Sequence, residues 1–388
     1  LKELKKYLRG DLTIWLVAFI LAIISLVEVY STTGMMAFQK KEGYTEYYLL
    51  QRLGFIGFSF LLMYLIHRVK YSFFSRISVI LLLISVPLLL LTLFYGARVN
   101  DASRWLYIPG LPFGFQTSDL AKIALVAFVA RLLAKNQENM DNPYKVIVPA
   151  GAAISVVCAL ILPANFSTAA MLFMICLMLM FVGRVRIAHI ASFLGIILLA
   201  GIVLIFILSK MPGNRVKTWQ ARIENFSGGD DEENYQAKLA KMTIASGSVL
   251  GTGPGNNPCR YLLPQSSSDF IFAIINGELG LIGGLGVLMM YLILLYRAVR
   301  IAVRAKYSFA VMLSIGIAML IVVQAFINMS VGVVLMPVTG QPLPFVSMGG
   351  TSTLFTGIAL GMLLSVSRSL EEHSDEPETN EPEPDEAA

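Results

Sequence analysis

The chain has 388 residues, 56% of them hydrophobic and only 14% charged, against roughly 25% charged in an average soluble domain. With a mean hydropathy of +0.71, this composition excludes a soluble globular domain and implies a protein solvated by lipid. The formal net charge of +5 understates how basic the body is, because the C-terminal stretch EEHSDEPETNEPEPDEAA carries acids and no Lys or Arg.

Residues 1–11 hold Lys2, Lys5, Lys6 and Arg9 and read as a cytoplasmic anchor, or as a short amphipathic helix in the interface plane. Apolar runs follow at 12–31, 49–66, 77–95, 117–133, 145–162, 168–183, 188–208, 270–296, 308–330 and 350–367. Most approach the ~20 residues that cross a bilayer as a helix. The sequence therefore predicts an all-α polytopic integral membrane protein with about ten transmembrane helices over 12–368. The first run lacks a small-residue cleavage site after it and reads as a retained helix.

An even number of spans puts both termini on one side. With that side cytoplasmic, the inner connections hold Arg68, Lys70, Arg76, Arg131, Lys135, Lys145, Arg184, Arg186, Arg297, Arg300, Arg304 and Lys306, and the short outer ones only Lys40, Lys41, Arg98 and Arg104. This is the positive-inside pattern. One long extracytoplasmic loop, 209–269, joins the seventh and eighth spans, and a shorter one covers 96–116. In the long loop, YQAKLAKMTIA has helical spacing, GGDDEEN reads as a solvated turn, and the glycine string GTGPGNN reads as flexible backbone. Residues 369–388, rich in Pro, Glu and Asp, read as a disordered acidic cytoplasmic tail.

Cys158, Cys176 and Cys259 form no CxxC pair, and His67, His189 and His373 are far apart, so no metal cluster is legible and the metal ligands stay unknown. The basic excess fits anionic head groups and not nucleic acid. No matching pair of Gly/Pro-broken spans points to an alternating-access transporter.

Asp269 ends the polar stretch NNPCRYLLPQSSSD and begins the eighth span. Position alone allows a helix N-cap or a catalytic carboxylate at the outer membrane boundary. Arg98 and Arg104, with Trp105, place guanidinium groups at the outer interface, where Arg can grip pyrophosphate bidentately and Trp can be a belt residue. Asp119 and Lys122 share a helix face three residues apart, as a functional or a mutually neutralising pair. Glu278 and Asn276 read as buried hydrogen-bonding groups. Gly280/Gly284 and Gly357/Gly361 have the spacing that permits close helix packing. MPVTGQPLPFVSMGGTS (336–352) carries no charge and reads as a shaped loop covered by protein.

NMSVGVVLMPVTGQPLPFVSMGGTS (328–352) and LLPQSSSDFIFAIINGELGLIG (262–283) resemble the SEDS family, which includes FtsW, RodA and SpoVE. RWL (104–106), QTSDLAK (116–122), NYQ (234–236) and ASGSVLGTGPG (245–255) extend the match. The resemblance implies a ten-helix glycosyltransferase that polymerises lipid II into peptidoglycan strands at the outer face of the cytoplasmic (inner) membrane. It implies a class B penicillin-binding protein and divisome proteins as partners, and dependence on a divalent cation, Mg²⁺ or Mn²⁺. The family's essential Asp falls on Asp269, expected to act as general base with inversion at the anomeric carbon. Arg98, Arg104, Lys122, Arg222, Gln236, Ser347, Gly349 and Gly350 are the expected substrate-binding residues. The VTGQPLP wording is closer to the division branch and predicts a septal role; a RodA-like elongation polymerase, a lipid II flippase and a scaffold for the synthase are the alternatives. The chain departs from the family pattern at Gln265, Gly277, Asn165, Ser167, Asp119 and Met348, which removes carboxylates around Asp269.

Overall fold

The computed structural model describes residues 9–34, 45–99, 102–107, 114–140, 142–209, 231–263 and 266–375. The chain is mostly helical: α1 (Leu12–Thr32), α2 (Thr45–His67), α3 (Tyr71–Tyr95), α4 (Thr117–Lys135), α5 (Ile147–Ile161), α6 (Phe166–Val182), α7 (Ile187–Ser209), α8 (Asp231–Gly247), α9 (Ile271–Glu278), α10 (Gly280–Arg304), α11 (Ser308–Gly332) and α12 (Gly350–Asp375). Among the described residues six of these, α1, α2, α3, α10, α11 and α12, are long and apolar enough to cross a membrane, and α5, α6 and α7 are shorter apolar helices. The chain is a multi-pass membrane protein.

Lipid tails are as apolar as leucine, so burying leucine between helices gains little over leaving it in lipid; close packing by small residues and polar contacts fix which helices meet. The pair α2 and α12 shows this. A Cβ on Gly357 would lie 2.3 Å from Ser59 Oγ, and one on Gly361 2.9 Å from the Met63 carbonyl, so the two backbones approach only because both positions are glycine. Ser59 Oγ then donates to the Thr353 carbonyl at 2.8 Å. α4 and α11 pack at the centre, with buried residues around much of their circumference, whereas α7 packs chiefly on α5 and α6. α7 leaves Ile196, Leu199 and Ile202 exposed, as suits a helix apolar on all faces.

Four expectations are corrected. The outer loop 96–116 is not irregular in an all-α chain: β1 (Ala97–Val99), β2 (Ala102–Tyr107) and β3 (Gly114–Phe115) form an antiparallel sheet in the order β1-β2-β3, with Leu106 opposite Phe115. The eighth apolar run is two helices, because Gly280 adopts φ +73° and breaks the run after Glu278. In the long loop, Asp231–Asn234, expected in a turn, are the first turn of α8. Finally, α12 runs to Asp375, so the first seven residues of the expected disordered tail continue the helix, and the remainder lies outside the described residues.

Candidate active site

The segment 266–269 reaches α9 as a turn, and the N-cap of α9 is Phe270, with no side-chain cap bond. Asp269 is therefore the residue before the cap, not the cap itself. Its side chain is 8% exposed. The main chain beneath it is pinned: Asn328 Nδ2, on α11, donates to the carbonyls of Asp269 at 3.1 Å and Gln341 at 2.8 Å. One amide thus ties the Asp269 turn to the uncharged loop after α11.

That loop, 333–349, is bound to the same turn from its other end. Ser347 Oγ donates to the Ser268 carbonyl at 2.8 Å and accepts from Leu343 N at 2.8 Å, and Met348 N donates to the Ser267 carbonyl at 2.9 Å. Arg52, 2% exposed, donates through Nη2 to the Phe345 carbonyl at 2.7 Å, through Nη1 to Thr353 Oγ1 at 2.8 Å and through Nε to Ser25 Oγ at 2.8 Å. Tyr291 OH donates to the Pro344 carbonyl at 2.5 Å, and Gln324 Nε2 to that of Pro342 at 2.9 Å. Three prolines deny the loop regular hydrogen bonds of its own, so its buried carbonyls need these side-chain donors.

Other expected site residues join this frame indirectly. Lys122 Nζ pairs with Asp119 Oδ1 at 2.7 Å and donates to Gln324 Oε1 at 3.2 Å, so it reaches the loop through Gln324. Arg104, on β2, donates through Nε to the Ala164 carbonyl at 3.0 Å; a Cβ on Gly340 would lie 3.2 Å from its Nη1, which sets the guanidinium against the loop. Gly349 accepts from Thr353 N at 3.1 Å, and Gly350 opens α12 over the ring of Phe55, 3.0 Å from where its Cβ would be. Gln236 is half-buried on α8, which packs on α9. Arg98 lies in β1 opposite Ser103. Arg222 and Gln265 lie outside the described residues.

At the far end of α9 the glycine string is neither a phosphate cradle nor loose backbone. Gly253 N and Thr252 N donate to the carbonyls of Glu278 at 2.9 Å and Gly277 at 3.1 Å, and Gly251, at φ +85°, would put a Cβ 2.2 Å from the Glu278 carbonyl oxygen. Gly280 meets this string and not another helix, contrary to the helix-packing reading; Gly284 keeps that reading, since a Cβ there would touch Asn276 on α9. Glu278 is buried as expected: Oε1 accepts from Ser31 Oγ and pairs with Arg260 Nη1 at 3.6 Å, and Oε2 accepts from Gly255 N at 3.0 Å.

Sequence reading passed over Arg52, Gln324 and Tyr291, which hold the loop. The signal was present for two of them, since Arg52 and Gln324 are polar groups inside apolar runs. Among the described residues no three His, Cys, Asp or Glu gather as a metal cage.

A membrane helix bundle with a shielded carboxylate beside a braced, uncharged loop defines the class: a polytopic membrane protein with a candidate active site at one end of its core. The family profile of FtsW, RodA and SpoVE, described as cell cycle protein, matches residues 11–372, and the chain belongs to that family. It is 32% identical to stage V sporulation protein E of Bacillus subtilis over 362 residues, covering 92% of this chain and 97% of that protein. It is also 32% identical to the probable peptidoglycan glycosyltransferase FtsW of Geobacter sulfurreducens over 376 residues, covering 95% and 97%. The fold is similar to that of a chain in a peptidoglycan synthase complex that coordinates polymerization and crosslinking, with TM-score 0.75, 23% identity and 94% and 99% coverage. It is also similar to the rod shape determining protein RodA of Thermus thermophilus, with TM-score 0.66, 23% identity and 94% and 98% coverage.

Proposed function

We propose that this protein is a peptidoglycan glycosyltransferase that polymerises lipid II, with Asp269 as general base. The observation that carries the assignment is the pinned turn: Asn328 and Ser347 hold the main chain of 266–269 against the loop 333–349, so the nearly buried Asp269 carboxylate is positioned by its backbone. A sugar hydroxyl is a poor nucleophile. Asp269 takes its proton as the hydroxyl oxygen bonds to the anomeric carbon of the lipid-linked donor; the bond from that carbon to the pyrophosphate oxygen breaks, and the lipid pyrophosphate leaves with the electron pair. A single displacement inverts the carbon. Proton transfer by a positioned base contributes ~10² to 10⁴ in rate.

Mg²⁺ is held by one or two carboxylates together with substrate phosphates and water. Asp269 would supply one carboxylate and the substrate the phosphates, so the described residues would fit Mg²⁺ or Mn²⁺ carried in with the substrate better than a cage built by the protein alone. Such an ion would offset the negative charge developing on the pyrophosphate. Among the described residues Arg104, half-buried beside Gly340, is a cation placed against the loop to share that role. Lys122 is engaged by Asp119 and Gln324 and acts on the loop instead.

The reading includes ten membrane crossings, with α9 and α10 together forming the eighth, both termini in the cytoplasm, and Asp269 at the outer face. It also includes a class B penicillin-binding protein as partner and a septal role. The septal role rests on the VTGQPLP wording, with the likeness to relatives named FtsW beside it. The test is purified protein with its penicillin-binding partner, lipid II and Mg²⁺: glycan strands form with the wild type, and polymerisation by Asp269→Asn at the wild-type rate overturns the assignment.

A further inference from the structure

A cavity of about 690 Å³ opens at the end of the bundle where α10 stops and α11 begins, lined by Arg297, Arg300, Arg304 and Lys306 with Tyr71 and Tyr307. Two carboxylates share it, and both are spent on the protein. Asp11 caps α1 by accepting from Thr13 N at 2.9 Å and pairs with Arg297 Nε at 2.5 Å. Glu371 accepts from Gly10 N at 2.8 Å. Arg300 leans on Tyr296, donating to its OH at 3.1 Å, and Arg304 and Lys306 form no ion pair among the described residues. One cation in the last turn of α10 is what the helix dipole favours; three that are exposed and without a carboxylate among the described residues, facing a common cavity, exceed that need. On the adjoining surface of α10, Tyr296, Val299 and Val303 are exposed, an apolar wall for acyl chains.

We propose that this cavity seats the phosphodiester head group of an anionic membrane lipid, its phosphate between Arg300, Arg304 and Lys306 and its acyl chains along α10. Basic pockets between membrane helices recognise such head groups, and each cation near the surface contributes roughly a fivefold gain in anionic-lipid binding. The sidedness proposed above places this lipid in the cytoplasmic leaflet, but binding itself does not depend on sidedness or on polymerisation.

The test is native mass spectrometry of the full-length protein in detergent with phosphatidylglycerol, with phosphatidylcholine as the neutral match and inorganic phosphate as the soluble arm. Expected is retention of phosphatidylglycerol over phosphatidylcholine and an on the order of hundredfold loss in the triple variant Arg300→Gln, Arg304→Gln, Lys306→Gln. Arg304→Lys should keep the preference and serves as the folded control. Equal retention of the two lipids, or a triple variant that binds like wild type, overturns the proposal. Displacement of the lipid by inorganic phosphate overturns the lipid source in favour of a free phosphate. A full-length variant with the acids of 376–388 changed to amides should bind alike; if it alone binds phosphatidylglycerol, the acidic tail is the occupant and the proposal fails.

Discussion

Two uncharged, glycine-containing segments grip α9 from opposite ends by different means. Residues 247–255 meet its C-terminal end main chain to main chain, with donors on the backbone and the approach possible only because Gly251 and Gly280 lack a Cβ. Residues 336–350 meet the turn before its N-terminal end through one main-chain bond, Met348 N to the Ser267 carbonyl, and the Ser347 hydroxyl, and are held there by side chains brought from α2, α10 and α11: Arg52, Tyr291, Gln324 and Asn328. Contact of two main chains fixes a distance and leaves no room for substrate. Side-chain donors fix a loop while spacing it from its supports, and that is the end that carries Asp269.

The sharpest way to break the comparison is Asp269→Asn, expected to lower lipid II polymerisation by ~10² to 10⁴ with the melting temperature in detergent unchanged. A large loss of stability instead would make Asp269 part of the scaffold. Gly251→Ala should be the most damaging to stability, at about 3 kcal/mol: left-handed backbone costs roughly 1–2 kcal/mol in a residue with a Cβ, and its Cβ must also displace the Glu278 carbonyl. Denaturation in mixed micelles reads this, and a neutral effect would show that the glycine end is pliable.

Arg52→Met leaves the Phe345 carbonyl buried without its donor and should cost about 2 kcal/mol, measured in the same assay. Asn328→Ala should destabilise by about 1 kcal/mol yet lower polymerisation about tenfold, because it loosens the turn under Asp269; a stability loss with full activity would remove Asn328 from the positioning frame. Smallest of all, Gly286→Ala, where nothing lies within 4 Å of the added Cβ, should be neutral or stabilise by up to about 1 kcal/mol through helix propensity.

Much of the fold was legible because membrane helices announce themselves by length and apolarity. Each apolar run falls on a helix, and Gly357/Gly361 meet a neighbouring helix as their spacing suggests. The misses share a cause. Gly280/Gly284 have the same spacing, yet only Gly284 meets a helix, at Asn276 of α9; Gly280 meets the loop 249–251, because a glycine's partner is set by what the tertiary fold brings within 3 Å. The sheet of 97–115 was hidden because its strands are two to six residues long, too short for a period to show. Of the candidate site, Asp269 stood out as a carboxylate at a polar-to-apolar junction, while Arg52 looked like one charge among spans.

The sequence by itself determined that this chain lives in a membrane, where its apolar helices lie and which carboxylate to examine, since these depend on composition and local pattern. Its motifs also sufficed for the family. Only the tertiary structure decided that Phe270 and not Asp269 caps α9, and that α9 ends where the eighth run turns at Gly280. It alone brought Arg52, Tyr291, Gln324 and Asn328 from three helices onto one loop. A buried carbonyl takes whichever donor the packing brings within reach, and no pattern along the chain records which donor that is.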